Sequence, residues 1–121
     1  MNTDLWAVGF SNGAGEDLDL IEAHLSEAYS NFGESPKEAS THAAARIEAI
    51  LATAERLATA PFRGQAKDDL LPGLRHLTLE GAIYWFIVDE VVLQVRVLAM
   101  FFGGQDHQRH MLVRLLQKPD S

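Results

Sequence analysis

The apolar residues of this 121-residue chain follow two rhythms. After a short strand-like run from Leu5 to Phe10, broken by Gly9, and a turn at Ser11-Asn12-Gly13, they recur every three or four positions. Leu18, Ile21, Leu25, Ala28 and Phe32 follow this spacing, which predicts a helix from about Ala14 to Tyr29. Glu16, Asp17 and Asp19 fall in its first turn, where carboxylates complement the positive end of the helix dipole. A second helix is announced by Ser35 as cap, Pro36 at the first helical position and Glu38 three residues after the cap, a complete capping box. Its stripe of Ala43, Ile47, Ile50, Ala54 and Leu57 ends before Pro61. The short connection between the two helices predicts an antiparallel hairpin.

Beyond Pro61 the rhythm shortens. Leu74 to Leu79, Ala82 to Val88 and Val91 to Phe102 read as strands separated by turns at Glu80-Gly81 and Asp89-Glu90. His107 to Leu116 predicts a terminal helix, and Lys118 to Ser121 a frayed end. The expected fold is α+β: an N-terminal strand, an antiparallel helical hairpin packed on an antiparallel β-meander, and a short C-terminal helix. Residues 1–121 form a single domain by length, with no repeats and no linker.

The strand pattern carries one anomaly. In the last strand Leu93, Val95, Val97, Ala99 and Phe101 are expected to face the hairpin, yet the opposite side also becomes apolar at Leu98, Met100 and Phe102. In the strand before it, Tyr84, Phe86 and Val88 share one side and Ile83, Trp85 and Ile87 the other. A sheet covered on one side only shows polar residues on its second side. Either the C-terminal segment with Met111 and Leu112 folds back over that face, or Trp85, Leu98, Met100 and Phe102 form an exposed patch for a partner. A segment so short also permits both.

Composition narrows the function classes. A hydrophobic fraction of 47% with 22% charged residues is globular. No apolar run approaches the roughly 20 residues that span a bilayer, and Met1 to Asp4 lack the basic region of a signal peptide. The absence of cysteine excludes disulfides and thiol chemistry and suits a cytoplasmic protein. Net charge is −7, and it is uneven: residues 1–60 hold ten acids against three bases, while residues 61–121 hold seven of each. Such a chain is a poor general binder of nucleic acid, whose affinity comes largely from Lys and Arg. Arg63, Arg75, Arg96, Arg109 and Arg114 either gather on one surface or lie scattered in solvent.

Several motifs occur in a telling order. Glu16-Asp17-Leu18-Asp19-Leu20-Ile21 is followed by Ser35-Pro36-Lys37-Glu38-Ala39, Pro61-Phe62-Arg63-Gly64 and Asp69-Leu70-Leu71-Pro72-Gly73-Leu74-Arg75. The two apolar strands come next and lead into Gly103-Gly104-Gln105-Asp106. This order resembles the ParE branch of the ParE/RelE family, the plasmid-stabilisation toxins of type II toxin–antitoxin systems. The resemblance implies a toxin with no cofactor and no metal, held by an antitoxin that is disordered when free. ParE-type members inhibit DNA gyrase by protein contact; RelE-type members cleave messenger RNA on the ribosome. RelE-like ribonucleases carry an arginine where this chain has Ile83, and basic residues where it has Gly104 and Gln105. Cleavage without a metal needs positioned cations and a general base, so their loss favours a non-enzymatic, gyrase-directed reading over the endonuclease. A degenerate, non-toxic binding module is a third reading.

The chain also departs from ParE, with Phe102 at the motif histidine and Ala82 at the aromatic that opens the second meander strand. Arg75 and Asp106 survive from the motif, either as target contacts or as an ion pair or turn bond joining the first meander strand to the end of the last. The expected antitoxin-binding residues are Trp85, Arg96, Leu98, Met100 and Phe102, with the groove between helices and sheet as the alternative seat. Arg75, Arg96 and Arg109 would meet acidic residues of a ParD-like antitoxin at the rim, in a hetero-oligomer. His107 and His110, three apart beside Asp106, have the spacing of metal ligands but no further partner in sequence; His24, His42 and His76 read as surface residues, and Asp68-Asp69 as a solvated turn.

Overall fold

The computed structural model describes residues 6–103 and 106–117. The expectations for Met1 to Leu5, for Gly104 and Gln105 and for Lys118 to Ser121 lie outside the described residues.

In chain order the elements are β1 (Ala7–Phe10), α1 (Asn12–Asn31), α2 (Pro36–Ala54) with a 3₁₀ turn Glu55–Ala58, β2 (Gln65–Ala66), β3 (Leu74–Leu79), β4 (Ala82–Asp89), β5 (Gln94–Phe102) and α3 (His107–Gln117). The sheet order is β1-β5-β4-β3-β2. Strands β2 to β5 pair antiparallel, whereas β1 runs parallel to β5, with Phe10 beside Val97. The α+β architecture is the expected one, and the two-residue β2 is an addition to it.

Local chemistry explains most of the boundaries. The capping box at Ser35 is complete: its hydroxyl accepts from the Glu38 N–H at 3.1 Å, and the Glu38 carboxylate accepts from the Ser35 N–H at 3.0 Å. These bonds hold the Glu38 carboxyl below its ordinary range. Helix α1 starts earlier than the periodicity suggests. Ser11 is its N-cap, accepting from the Ala14 N–H at 3.1 Å, so Asn12 and Gly13 are helical and the predicted turn there is the cap itself. The acidic run therefore falls beyond the first turn.

Strand β5 starts later than expected, at Gln94. The Asp89 carboxylate accepts from the N–H groups of Val91 and Val92, at 3.0 and 3.3 Å, and closes a longer turn that leaves Val91 92% exposed. At the other hairpin, Glu80 and Gly81 take φ of 52° and 84°, the left-handed pair of a two-residue turn. Gly64 is also constrained, because a Cβ there would stand 2.4 Å from the His76 carbonyl oxygen.

Two cores form, one on each face of the sheet. The larger, between sheet and hairpin, includes Leu18, Ile50, Leu57, Tyr84, Phe86, Val95 and Val97. The Tyr84 hydroxyl donates to the Ile50 carbonyl at 2.8 Å, and burial pushes the phenol up to about 12. The smaller core joins Leu74, Ile83, Trp85 and Phe101 to Met111 of α3, with Leu70, Leu71 and Leu115 packed around it. The second face is thus closed by the chain's own C-terminal helix and the loop before β3.

The expected alternation in β5 is wrong beyond Val97, and the cause is a β-bulge. Phe86 pairs with Val97 and Trp85 with Ala99, so Leu98 is an extra residue. A one-residue slip exchanges the faces. Met100 and Phe102 therefore join the hairpin core, while Leu98, Ala99 and Phe101 turn to the second core.

Glutamate in the left-handed region costs roughly 1 kcal/mol, which asparagine largely avoids. Glu80→Asn gives up only an exposed ion pair with Arg56 at 3.4 Å. We expect it to stabilise the fold by about 0.5 kcal/mol or more in urea unfolding. A loss of stability would show that the Glu80 side chain matters more than its backbone.

Candidate protein-binding site

Bulging frees backbone groups on β5 that β1 does not pair, and three side chains satisfy them. The Ser11 N–H donates to the Val97 carbonyl at 2.9 Å and its hydroxyl to the Leu98 carbonyl at 3.2 Å. The Met100 N–H donates to Asp17 at 2.9 Å. Arg114 of α3 then grips Asp17 with both guanidinium nitrogens, at 2.8 and 2.6 Å, and donates to the Leu98 carbonyl at 3.3 Å. The hydrogen bonds to Asp17 raise the Arg114 pKa, against an opposing effect of burial. Asp17 is 7% exposed. It is a structural clamp residue rather than the dipole partner the sequence suggested. Its place on the apolar stripe, three residues after Ala14 and four before Ile21, was the available signal.

Beside this clamp lies a trough of about 780 Å³ lined by Leu20, Ile21, His24, Leu25, Ala28, Phe102 and Gly103. A smaller one, about 210 Å³, has Leu20 and Ile21 in common with it and reaches Met100, Phe101, His110 and Arg114. Leu20 stands off the buried stripe of α1 and is 71% exposed. At the sheet end Phe102 forms the wall, with the Arg46 guanidinium 5.2 Å from its ring centroid. Together these features make an apolar groove between α1 and the end of β5, and Arg46, which lies against Phe102, donates to the Glu80 carbonyl at 2.7 Å. Among the described residues that line the trough, His24 is the one titratable side chain. Such a groove suits the apolar face of a peptide segment.

The residues expected at the partner site separate. Phe102 lines the groove, and Met100, 2% exposed, borders only the smaller hollow. Trp85 is fully buried and Leu98 8% exposed, both in the core under α3, so the expected exposed patch does not exist. Arg96 is exposed and pairs with Ile87, which places it on the α3 side of the sheet. Arg75 pairs with Phe86, which places it on the hairpin side. These two cations point to opposite faces. Arg75 donates to the Phe62 carbonyl at 2.8 Å and lies 5.7 Å from the Phe62 ring centroid, so it secures the Pro61–Gly64 turn and is not the partner of Asp106. Asp106 instead caps α3, accepting from the Arg109 N–H at 3.3 Å, and Arg109 is exposed. Asp68 accepts from the Gly73 N–H at 2.8 Å, as a turn residue does.

Of the histidines, His24 and His42 are exposed as expected, with His42 stacked on Tyr29. His76 is a correction: it is partly buried against Trp85 and His107. No group of three or more His, Asp or Glu side chains able to hold a metal ion occurs among the described residues.

By sequence, no family model and no curated protein matches the chain. Its fold does match solved structures. One belongs to the chromosomal ParDE toxin–antitoxin system from P. aeruginosa, with a TM-score of 0.63 and 19% identity over 84% of this chain and 99% of the other. Another belongs to the RelBE2 toxin–antitoxin complex from Mycobacterium tuberculosis, with a TM-score of 0.57 and 15% identity over 86% and 98%. The chain shares the fold of these chains from toxin–antitoxin systems.

The clamp makes a direct prediction. Arg114→Met leaves the Asp17 carboxylate buried without its counter-charge, and it should cost about 2–3 kcal/mol once partial solvent exposure is allowed for. Arg109→Met, on the same helix but exposed, should change stability by less than about 0.5 kcal/mol. Equal effects in urea unfolding would remove the clamp from the account.

Proposed function

We propose that this chain is the toxin of a type II toxin–antitoxin pair, that it acts by protein contact in the manner of ParE, with DNA gyrase as target, and that a ParD-like antitoxin silences it. The observation that carries the reading is the apolar groove of Leu20, Ile21, Leu25 and Phe102 on a fold of this kind. It corresponds to the alternative seat named from the sequence, while burial of Trp85 and Leu98 removes the exposed patch as a landing site. The antitoxin segment orders as it binds, its apolar face against Leu20 and Phe102 and an acidic residue near Arg46. Such coupled ordering costs about 2–5 kcal/mol and still permits tight complexes.

The non-enzymatic mode is favoured by the surroundings of Ile83, which replaces the RelE-type arginine, and of the retained motif residues Arg75 and Asp106. Ile83 sits in the core under α3, Arg75 is engaged with backbone carbonyls, and Asp106 is a helix cap. No described helix is long and apolar enough to cross a membrane, and the proposed site of action is the cytoplasm.

Inducing the chain alone should arrest growth, raise a DNA-damage response and block supercoiling by purified gyrase. Codon-specific cuts in translated messages, read by primer extension, would replace this with the RelE-like endonuclease. Normal growth with neither effect, but retained binding to the upstream-encoded partner, would leave a non-toxic binding module.

The groove is tested separately. Leu20→Glu should weaken the antitoxin complex at least tenfold by calorimetry, a loss of about 1.4 kcal/mol, without unfolding an exposed position. Val91→Glu, also at an exposed position but distant in the β4–β5 turn, should leave affinity unchanged. Equal losses would mean that the partner lies elsewhere.

A further inference from the structure

The contacts of the C-terminal helix with the sheet differ in kind at its two ends. Near its C-terminus Arg114 is held by Asp17 through two charge-assisted hydrogen bonds, at 2.8 and 2.6 Å. At its first residue the contact is a neutral hydrogen bond: the Trp85 indole Nε1–H donates to His107 Nδ1 at 3.1 Å. An indole nitrogen is only a donor, so His107 Nδ1 must present a lone pair and the ring must be uncharged. Beside it, the His76 ring lies 5.1 Å from that of His107 and 4.5 Å from that of Trp85. His76 Nε2 is enclosed, with no hydrogen-bond partner among the described residues.

We propose that His107 and His76 form a proton-operated latch that fastens the N-terminal end of α3 over the second face of the sheet, and that mild acid releases this end while Arg114 keeps the rest of the helix attached. Protonating His107 places an N–H against the indole N–H and removes the bond. Protonating His76 puts a charge in an enclosed space without an acceptor, beside a second imidazole. Either proton is accommodated by moving α3 outward, which uncovers Trp85 and Phe101. The buried second face would then become the exposed apolar patch that its sequence pattern suggests.

The surrounding charges favour the closed, neutral form at neutral pH. Burial lowers His76 first, and His107 and Lys67, on the β2–β3 connection, lower it further. Burial also lowers His107, partly opposed by the cap residue Asp106. His107 opens α3, where the positive end of the helix dipole again disfavours an imidazolium. On the same helix Arg109 is exposed, and His110 stacks on Phe101 with 5.9 Å between ring centroids. Asp106 is therefore the single carboxylate in this set. Because both folded-state values lie below the ordinary 6.5, the latch is fully closed above that pH. Its contribution is lost as pH falls from there through the folded values.

The test is hydrogen exchange on the intact chain, corrected for the intrinsic pH dependence of exchange. Between about pH 7.5 and pH 5.5, protection of the α3 amides should fall at least tenfold, while the α2 amides keep theirs. In the non-titrating double variant His76→Phe, His107→Gln, the α3 protection should be flat over the same range. Imidazole NMR titrations of the wild-type chain give a second reading that needs no variant: His76 and His107 should titrate below 6.5, in step with α3 opening. Constant α3 protection, an equal loss in α2, an undiminished pH response in the double variant, or titration at or above 6.5 would each overturn the proposal.

Discussion

The grip of Arg114 on Asp17 is the interaction on which the rest of this structure depends. It joins three elements distant in sequence: the first helix, the bulge of β5 and the last helix. Its charge–charge attraction matters less than its hydrogen-bond bookkeeping. A bulge at Leu98 leaves a carbonyl and an N–H on β5 without strand partners, and buried backbone groups cannot be left unpaired cheaply. Ser11, Asp17 and Arg114 take them up. Once they do, Met100 and Phe102 point to the hairpin side and Trp85 is roofed by α3.

The groove follows from the same constraint. With β5 slipped by one residue, Phe102 arrives on the hairpin side at the foot of α1, opposite Leu20 and Ile21. Had the strand continued in register, Phe102 would have faced the C-terminal helix and Phe101 the hairpin. The bulge thus decides which aromatic the partner site receives. The helix flank contributes by being apolar wider than its core contact requires, since Leu20 is 71% exposed.

Much of this was legible in the sequence because it rests on local chemistry. Ser35, Pro36 and Glu38 define a helix start without outside help, and the three- and four-residue spacing of Leu18, Ile21 and Leu25 defines a face. Both faces of the meander read as apolar, which correctly required a cover. What could not be read was non-local. The bulge has no signature in Val97-Leu98-Ala99, because any of these residues suits a strand; it exists because Asp17 and Arg114, 97 positions apart, stabilise it. The exposure of Trp85 and Leu98 was misjudged for a like reason, since α3, far along the chain from Trp85, covers them. Arg75 and Asp106 were read either as target contacts or as a tie between the first meander strand and the end of the last; in place of that tie, each bonds to the turn or helix next to it.

The fold is that of chains in ParDE and RelBE toxin–antitoxin systems, and the central functional claim is that a partner segment occupies the groove between α1 and the end of β5. The most direct measurement is hydrogen exchange of the chain at neutral pH, alone and with the product of the adjacent upstream reading frame. The account predicts that the partner slows exchange along α1 from Leu20 to Ala28 and at Phe102 and Gly103, leaving α3 unchanged. Protection confined to α3 and the loop before β3, with none along α1, would contradict it.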